Sequence, residues 1–324
     1  MSKTILLISK KAEDHEFAAA VAESAGLAYV RAMTPREGAA IISDREIVAI
    51  FADTSSQQQY QELEQAIQDT VGLFSDKINS NAFHFISSEP LERVEYLIQS
   101  PIFGHYLLRN YGDPKISGEH YGRVVKATQS DRAFGLSTLL KSRAKVQVVK
   151  LTESGQKQEA VEAVKEYLLA AKFQSRMATV VANAVDELLM NAIYDAPVDD
   201  LGKQAHASIP RSTPLPLDGQ ACVEMHVGYD GLYVAVTAVD LYGSLDKAKL
   251  LGHISKIYTE EEYKVRTTSA GAGIGLATVF RSGGSFFFVS ENRVRTEVTV
   301  FFRRMDTFRD FKDQFRFIST QFYF

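Results

Sequence analysis

Short unbroken apolar runs alternate with amphipathic stretches through the first third of the chain. Residues 4–9 form a run of aliphatic and β-branched side chains, the pattern of a strand buried on both faces. Residues 12–25 follow with Phe17, Val21 and Ala25 on one helical stripe. The alternation recurs: further strands are predicted at 27–31, 47–52, 82–87 and 104–108, and helices at 35–43, 57–71 and 89–99. Thr34 stands as an N-cap for the helix at 35–43, with Pro35 at its first position. Such alternation implies a parallel sheet covered by helices on both faces. Gly112, Pro114, Gly118 and Gly122 then interrupt regular structure, so residues 111–132 read as a connector.

The second half opens with a valine-rich strand at 144–151 and an amphipathic helix at 155–173, with Val161, Val164, Leu168 and Leu169 on one side. A largely apolar helix is predicted at 174–194. A loop carrying Pro210, Pro214 and Pro216 spans 197–219. Strands at 221–227 and 232–239 flank the hairpin signal Tyr229-Asp230-Gly231. A helical segment near 245–253 follows, then a second that opens at Gly271-Ala272-Gly273-Ile274-Gly275-Leu276, and closing strands at 285–290 and 296–302. The last stretch is dense in phenylalanine: Phe308, Phe311, Phe315, Phe317, Phe322 and Phe324. Left in water it would be an aggregation hazard, so it is expected to pack on its own chain, with a homodimer as the other way to cover it.

Length changes this picture: 324 residues exceed one ordinary core, so two domains are expected. Hydrophobic content of 45% and charged content of 23% describe an ordinary soluble protein. The net charge of −4, from 36 Lys+Arg against 40 Asp+Glu, argues against broad nucleic-acid binding. Cys222 is the only cysteine, which excludes an intramolecular disulfide and fits a cytoplasmic setting. No apolar stretch approaches the ~20 residues a membrane helix needs. The N-terminal apolar run is too short and too early for a signal peptide.

Candidate chemistry centres on Glu187-Leu188-Leu189-Met190-Asn191, a carboxylate and a carboxamide one turn apart on an apolar helix. Polar groups buried without partners cost roughly 1–3 kcal/mol each. A magnesium-bound triphosphate would partner both: Asn191 as a metal ligand through its side-chain oxygen, Glu187 as a base for an attacking hydroxyl. A solvent-facing polar edge on a core helix is the alternative. Asp240, in Asp240-Leu241-Tyr242-Gly243, closes a strand. The glycines at 271, 273 and 275 lack the preceding strand of a dinucleotide fingerprint and the Gly-Lys-Ser/Thr of a Walker loop. What remains is a turn into a helix N-terminus, whose free N–H groups favour phosphate, or a turn that needs small residues for packing.

The order of these motifs resembles the nucleotide-binding fold of gyrase, histidine kinases and mismatch-repair ATPases, the GHKL superfamily. Glu187 to Ala192 matches its N box, Asp240 and Gly243 approximate its first glycine box, and Ser269 to Leu276 matches its second. The place two residues after the aspartate, usually glycine, is Tyr242 here. Thr296 resembles the threonine on the strand beside the adenine. The resemblance implies an α/β sandwich with a mixed sheet over residues 131–305, binding ATP and Mg²⁺. It implies contacts from Asn191 (to magnesium), Asp240 (to the adenine amine), Gly243, Gly271, Gly273, Gly275 and Thr296. Lys264 and Arg266 fall in the implied lid.

The first five strand–helix units resemble the receiver domain of response regulators, a flavodoxin-like parallel-sheet fold, over residues 1–122. Asp53 stands where the phosphoryl-accepting aspartate would be, but Ser9 and Lys10 replace the acidic pair that holds magnesium, and Arg109 replaces the lysine. That makes the unit a degenerate receiver, with phosphorylation of Asp53 the minor alternative. Residues 306–324 form the aromatic tail. None of the 7 histidines lies on long dimerisation helices upstream, and the 22 residues after Phe302 are fewer than the transducer domain of the gyrase-like and repair ATPases is expected to need. The relative implied is the compact anti-sigma-factor serine kinase, with Glu187 as the catalytic residue acting on a partner signalling protein. The rival is a non-enzymatic adaptor whose partner surface is controlled by nucleotide.

Overall fold

The computed structural model describes residues 3–72, 78–129, 133–199, 201–206, 209–211, 213–259, 280 and 283–324. The chain is a mixed α/β protein of two compact units, Met1–Ala133 with Phe315–Gln321, and Phe134–Gln314 with Phe322–Phe324. No helix among the described residues is long and apolar enough to cross a membrane.

The first unit alternates β1 (Thr4–Ile8), α1 (Ala12–Ala25), β2 (Ala28–Ala32), α2 (Pro35–Asp44), β3 (Ile47–Asp53), α3 (Gln57–Thr70), β4 (Phe83–Ser87), α4 (Glu95–Ile98), β5 (His105–Leu108) and α5 (Pro114–Thr128). The first five strands pair in parallel in the order β2-β1-β3-β4-β5. Every residue of β1 and β4 is buried, as strands covered on both faces require. The local signals act as read: the Thr34 hydroxyl accepts from the Glu37 N–H at 3.2 Å, and Pro35 opens α2. α4 is much shorter than the helix predicted at 89–99, because the segment starts with a 3₁₀ turn at Leu91–Arg93.

The connector expected at 111–132 is instead the helix α5. Asp113 caps it, accepting from the Ile116 N–H at 3.0 Å, and Pro114 is its first residue. Gly118 and Gly122 do not break it; spaced one turn apart, they let its backbone approach α1. A Cβ at Gly118 would lie 2.6 Å from the Phe17 carbonyl oxygen.

A C-terminal strand, Phe317–Tyr323, pairs antiparallel with β5 through Phe317, Ile318 and Ser319. The His105 Nε2–H donates to the Asn81 carbonyl at 2.7 Å, and its Nδ1 meets the Ser319 hydroxyl at 2.7 Å. Of the tail's phenylalanines, Phe311, Phe315, Phe317 and Phe322 are buried, while Phe324 is exposed.

The second unit carries β6 (Lys145–Leu151), α6 (Lys157–Ala170), α7 (Ser175–Met190), β7 (Val223–Tyr229), β8 (Tyr233–Asp240), α8 (Lys247–Thr259), β9 (Ser285–Glu291) and β10 (Arg295–Arg303). Its strands lie in the order β9-β10-β8-β7-β6, and all four described pairings are antiparallel, whereas the family resemblance implied a mixed sheet here. β8 is buried throughout. α7 does not run through to residue 194. It changes at Asn191 into a π-turn, Asn191–Asp195, closed by the Ala196 N–H on the Asn191 carbonyl at 2.9 Å.

Candidate functional site

The second unit holds a cavity of about 470 Å³ between α7, the ends of β8 and β10, and α8. Asn191, Asp240 and Thr296, the three residues singled out for metal and adenine contact, all line it. Strand register explains two of them. Asp240 and Thr296 are direct partners at the end of the β8–β10 ladder, so their side chains leave the sheet on the same face. Alternation along the same strands brings Ala238 and Val298 to the cavity as apolar lining.

Asp240 is 6% exposed, and burial pushes its carboxyl up to about 6, against the pull of hydrogen bonds from the Tyr242 and Gly243 N–H groups and the Thr296 hydroxyl. The Tyr242 N–H reaches Asp240 Oδ1 at 2.9 Å. The Thr296 hydroxyl also lies 3.3 Å from the Ser290 hydroxyl, a neighbour that nothing in the sequence marked. At neutral pH Asp240 is therefore chiefly a carboxylate, held in place and facing the cavity as an acceptor.

Asn191 reaches the cavity from the first position of the π-turn. Such turns leave backbone carbonyls without helical partners, and here side chains from outside the helix satisfy them. His206 Nδ1 meets the Ile193 carbonyl at 3.0 Å, and the Ser244 hydroxyl donates to the Ala196 carbonyl at 2.7 Å. Asp195, one turn after Asn191, also lines the cavity, and burial raises its carboxyl. The sequence offered a signal for it: Glu187, Asn191 and Asp195 repeat at four-residue spacing.

Glu187 does not line this cavity. It sits half-buried one turn earlier on α7, where burial and the neighbouring Asp186 charge raise its carboxyl while Arg211 and Lys157 pull it down. Asp186 itself is ion-paired with Lys157. A carboxyl raised in this way is better suited to accept a proton near neutral pH than an ordinary glutamate.

Gly243 does not line the cavity either. Its φ is +55°, and a Cβ there would overlap the Glu291 carbonyl oxygen and come within 2.7 Å of the Val294 nitrogen. It locks the turn after β8 to the β9–β10 hairpin, and its carbonyl accepts from the Arg293 N–H at 3.2 Å. Gly243→Ala is therefore expected to cost at least ~2 kcal/mol, from left-handed backbone strain plus overlap. A fall in the urea midpoint with an unchanged slope is the readout. Gly271, Gly273, Gly275, Lys264 and Arg266 lie outside the described residues.

In the first unit, Asp53 ends β3 beside a cluster that the sequence only half revealed. Arg109 forks onto Asp14, Nε to Oδ1 at 2.8 Å and Nη2 to Oδ2 at 2.9 Å, and its Nη2 also reaches Asp53 Oδ1 at 2.6 Å. The Ser9 hydroxyl at 2.6 Å and the Tyr111 hydroxyl at 2.8 Å complete the shell of Asp14. Burial alone would raise the Asp53 carboxyl, but Arg109 and the Ser55 hydroxyl outweigh it and hold the group below its ordinary range. Asp14 was missed because an acidic residue in the first turn of a helix reads as a dipole partner. Its spacing gave the better clue: it lies three residues before Phe17, on the stripe that α1 buries. Among the described residues, no group of three or more His, Cys, Asp or Glu could hold a metal ion.

No family model matches the chain, and no curated protein matches it. Among solved structures, a chain of the SiaB–SiaC complex from Pseudomonas aeruginosa is similar at 17% identity, over 47% of this chain and 88% of that one, with a TM-score of 0.29. A likeness that slight carries no weight for fold or activity.

Proposed function

We propose that the second unit is a GHKL-type nucleotide-binding module that takes ATP with magnesium, and that the protein acts as a serine/threonine kinase on a partner signalling protein. The observation that carries this reading is the convergence of Asn191, Asp240 and Thr296 on one cavity, whose volume is that of a small-molecule site. Asp240 would accept from the adenine amine, with Thr296 beside it. Asn191 would supply one protein oxygen to magnesium, the rest of whose shell would come from phosphate and water, as is usual for this ion. Bound nucleotide would supply the phosphoryl group, and Glu187 would take the proton of the incoming hydroxyl.

The strand order β2-β1-β3-β4-β5, with Asp53 at the end of the third strand, supports a flavodoxin-like, receiver-type first unit. The Arg109 guanidinium, paired with both Asp14 and Asp53, occupies the acidic site. We read this unit as a protein-contact module that works without phosphorylation. The second reading, a nucleotide-controlled adaptor without turnover, is favoured by one observation: Glu187 lies off the cavity wall.

Calorimetry with ATP and ADP, with and without Mg²⁺, tests the site. Asp240→Asn is expected to weaken ATP by about tenfold or more. Glu187→Gln should retain ATP and, in the kinase, lose about 100-fold or more of turnover. If Glu187→Gln leaves every output unchanged while ATP binds, the adaptor stands; if wild type binds no nucleotide, both readings fall.

A further inference from the structure

The cavity has a second polar wall that neither the motifs nor the resemblance assigns. Lys249 and His253 lie four residues apart on α8 and both line the cavity, so they share one face of that helix. Asp246, at the start of the same helix, caps it: its carboxylate accepts from the Lys249 N–H at 2.8 Å. Asp240 is held by Tyr242, Gly243 and Thr296. Gln204 and Ser244, also on the wall, donate to the Asp195 and Ala196 carbonyls. The other polar lining is two pairs, Asn191 and Asp195 from the π-turn, and Lys249 and His253 from α8.

These two pairs have opposite preferences. A carboxamide and a carboxylate one turn apart favour a cation, and a lysine and an imidazole one turn apart favour an anion. A nucleoside carries neither charge. A polyphosphate chelating a divalent ion presents both charges side by side. We propose that Lys249 and His253 are the phosphate-recognising residues of this cavity, and that they set its preference for a metal-chelated polyphosphate over the bare nucleoside.

This inference rests on the nucleotide reading above and adds to it, so its test separates the two. Full-length wild type, Lys249→Ala and His253→Gln are titrated with ATP, inorganic tripolyphosphate and adenosine, all in MgCl₂. Wild type is expected to prefer ATP over adenosine by about tenfold or more, and tripolyphosphate to compete with ATP. Lys249→Ala should abolish that preference and His253→Gln reduce it, with adenosine affinity and melting temperature unchanged. Both side chains are on the surface of α8, so folding is spared. Equal wild-type affinity for ATP and adenosine overturns the inference and leaves the adenine site standing. An ATP preference that survives in both variants overturns it too. Failure of wild type to bind any of the three removes this inference and the nucleotide reading together.

Discussion

Replacing Arg109 with alanine is expected to cost the folded protein about 3–5 kcal/mol, the penalty for leaving one partner of a buried ion pair behind. The Arg109 side chain is 2% exposed, Asp14 0% and Asp53 10%. With the guanidinium gone, Asp14 keeps only the Ser9 and Tyr111 hydroxyls, which cannot neutralise a carboxylate in so dry a site. Arg109→Lys should fall between, since an ammonium cannot fork across Asp14 while reaching Asp53. Urea unfolding of the full chain, followed by circular dichroism, measures both.

Acid titration provides an independent check with a defined sign. The folded Asp53 carboxyl is held below its unfolded value near 3.9. Its contribution is present above that value and is lost as pH falls through the folded pKa. Asp240 works in the opposite direction. Its folded pKa of about 6 is raised, so its contribution is full below about 4 and is lost as pH rises through 6. In Arg109→Ala the acid-side loss due to Asp53 should shrink while the Asp240 component persists. A variant as stable as wild type, with the same acid limb, would contradict the ion-pair account.

Gly118→Val should be nearly as damaging, by ~3 kcal/mol, and the alanine variant decides why. Alanine in an open helix position gains up to about 1 kcal/mol over glycine. At Gly118 the new Cβ would meet the Phe17 carbonyl oxygen at 2.6 Å and the Ala20 Cβ at 2.7 Å, so α1 and α5 must part. Phe17 is fully buried and stacks on Tyr111 at 4.4 Å, so that separation disturbs the core of the first unit. Gly252, in α8, serves as the control, because a Cβ added there would meet nothing within 4 Å. Gly252→Ala is expected to raise the melting midpoint and Gly118→Ala to lower it. The same direction of change at both positions would refute close packing of the two helices.

The parts of the fold legible in the sequence are those written in local pattern. β1 and β3 are almost continuous apolar runs, and β4 is apolar at Phe83, Phe85 and Ile86, because a parallel sheet buries both faces; Thr34-Pro35 marks a helix start by chemistry confined to two residues. α5 was obscured because a glycine that breaks a helix and one that lets two helices touch are the same letter; the Asp113-Pro114 start was the better guide. At the candidate site, Asn191, Asp240 and Thr296 were visible as motif positions, and strand register brings the last two together. The π-turn was not legible, since nothing in residues 191–195 distinguishes it from another turn of α-helix. Lys249 and His253 were hidden for a different reason: single charges on an exposed helix look alike whether or not a cavity opens beneath them. The pairing of residues 317–319 with β5 leaves no trace in any local period.

That pairing sets a timetable for biosynthesis. His105 meets Ser319 across 214 residues of chain. At ribosomal speeds of about 5–20 residues per second, roughly ten to forty seconds separate the emergence of these two partners. Throughout that interval β5 presents an open edge to whatever attends the nascent polypeptide, while the main segment of the second unit, Phe134–Gln314, is being made. The N-terminal unit can gather its parallel strands early, but its sheet gains its final strand only after Gln314 has been made.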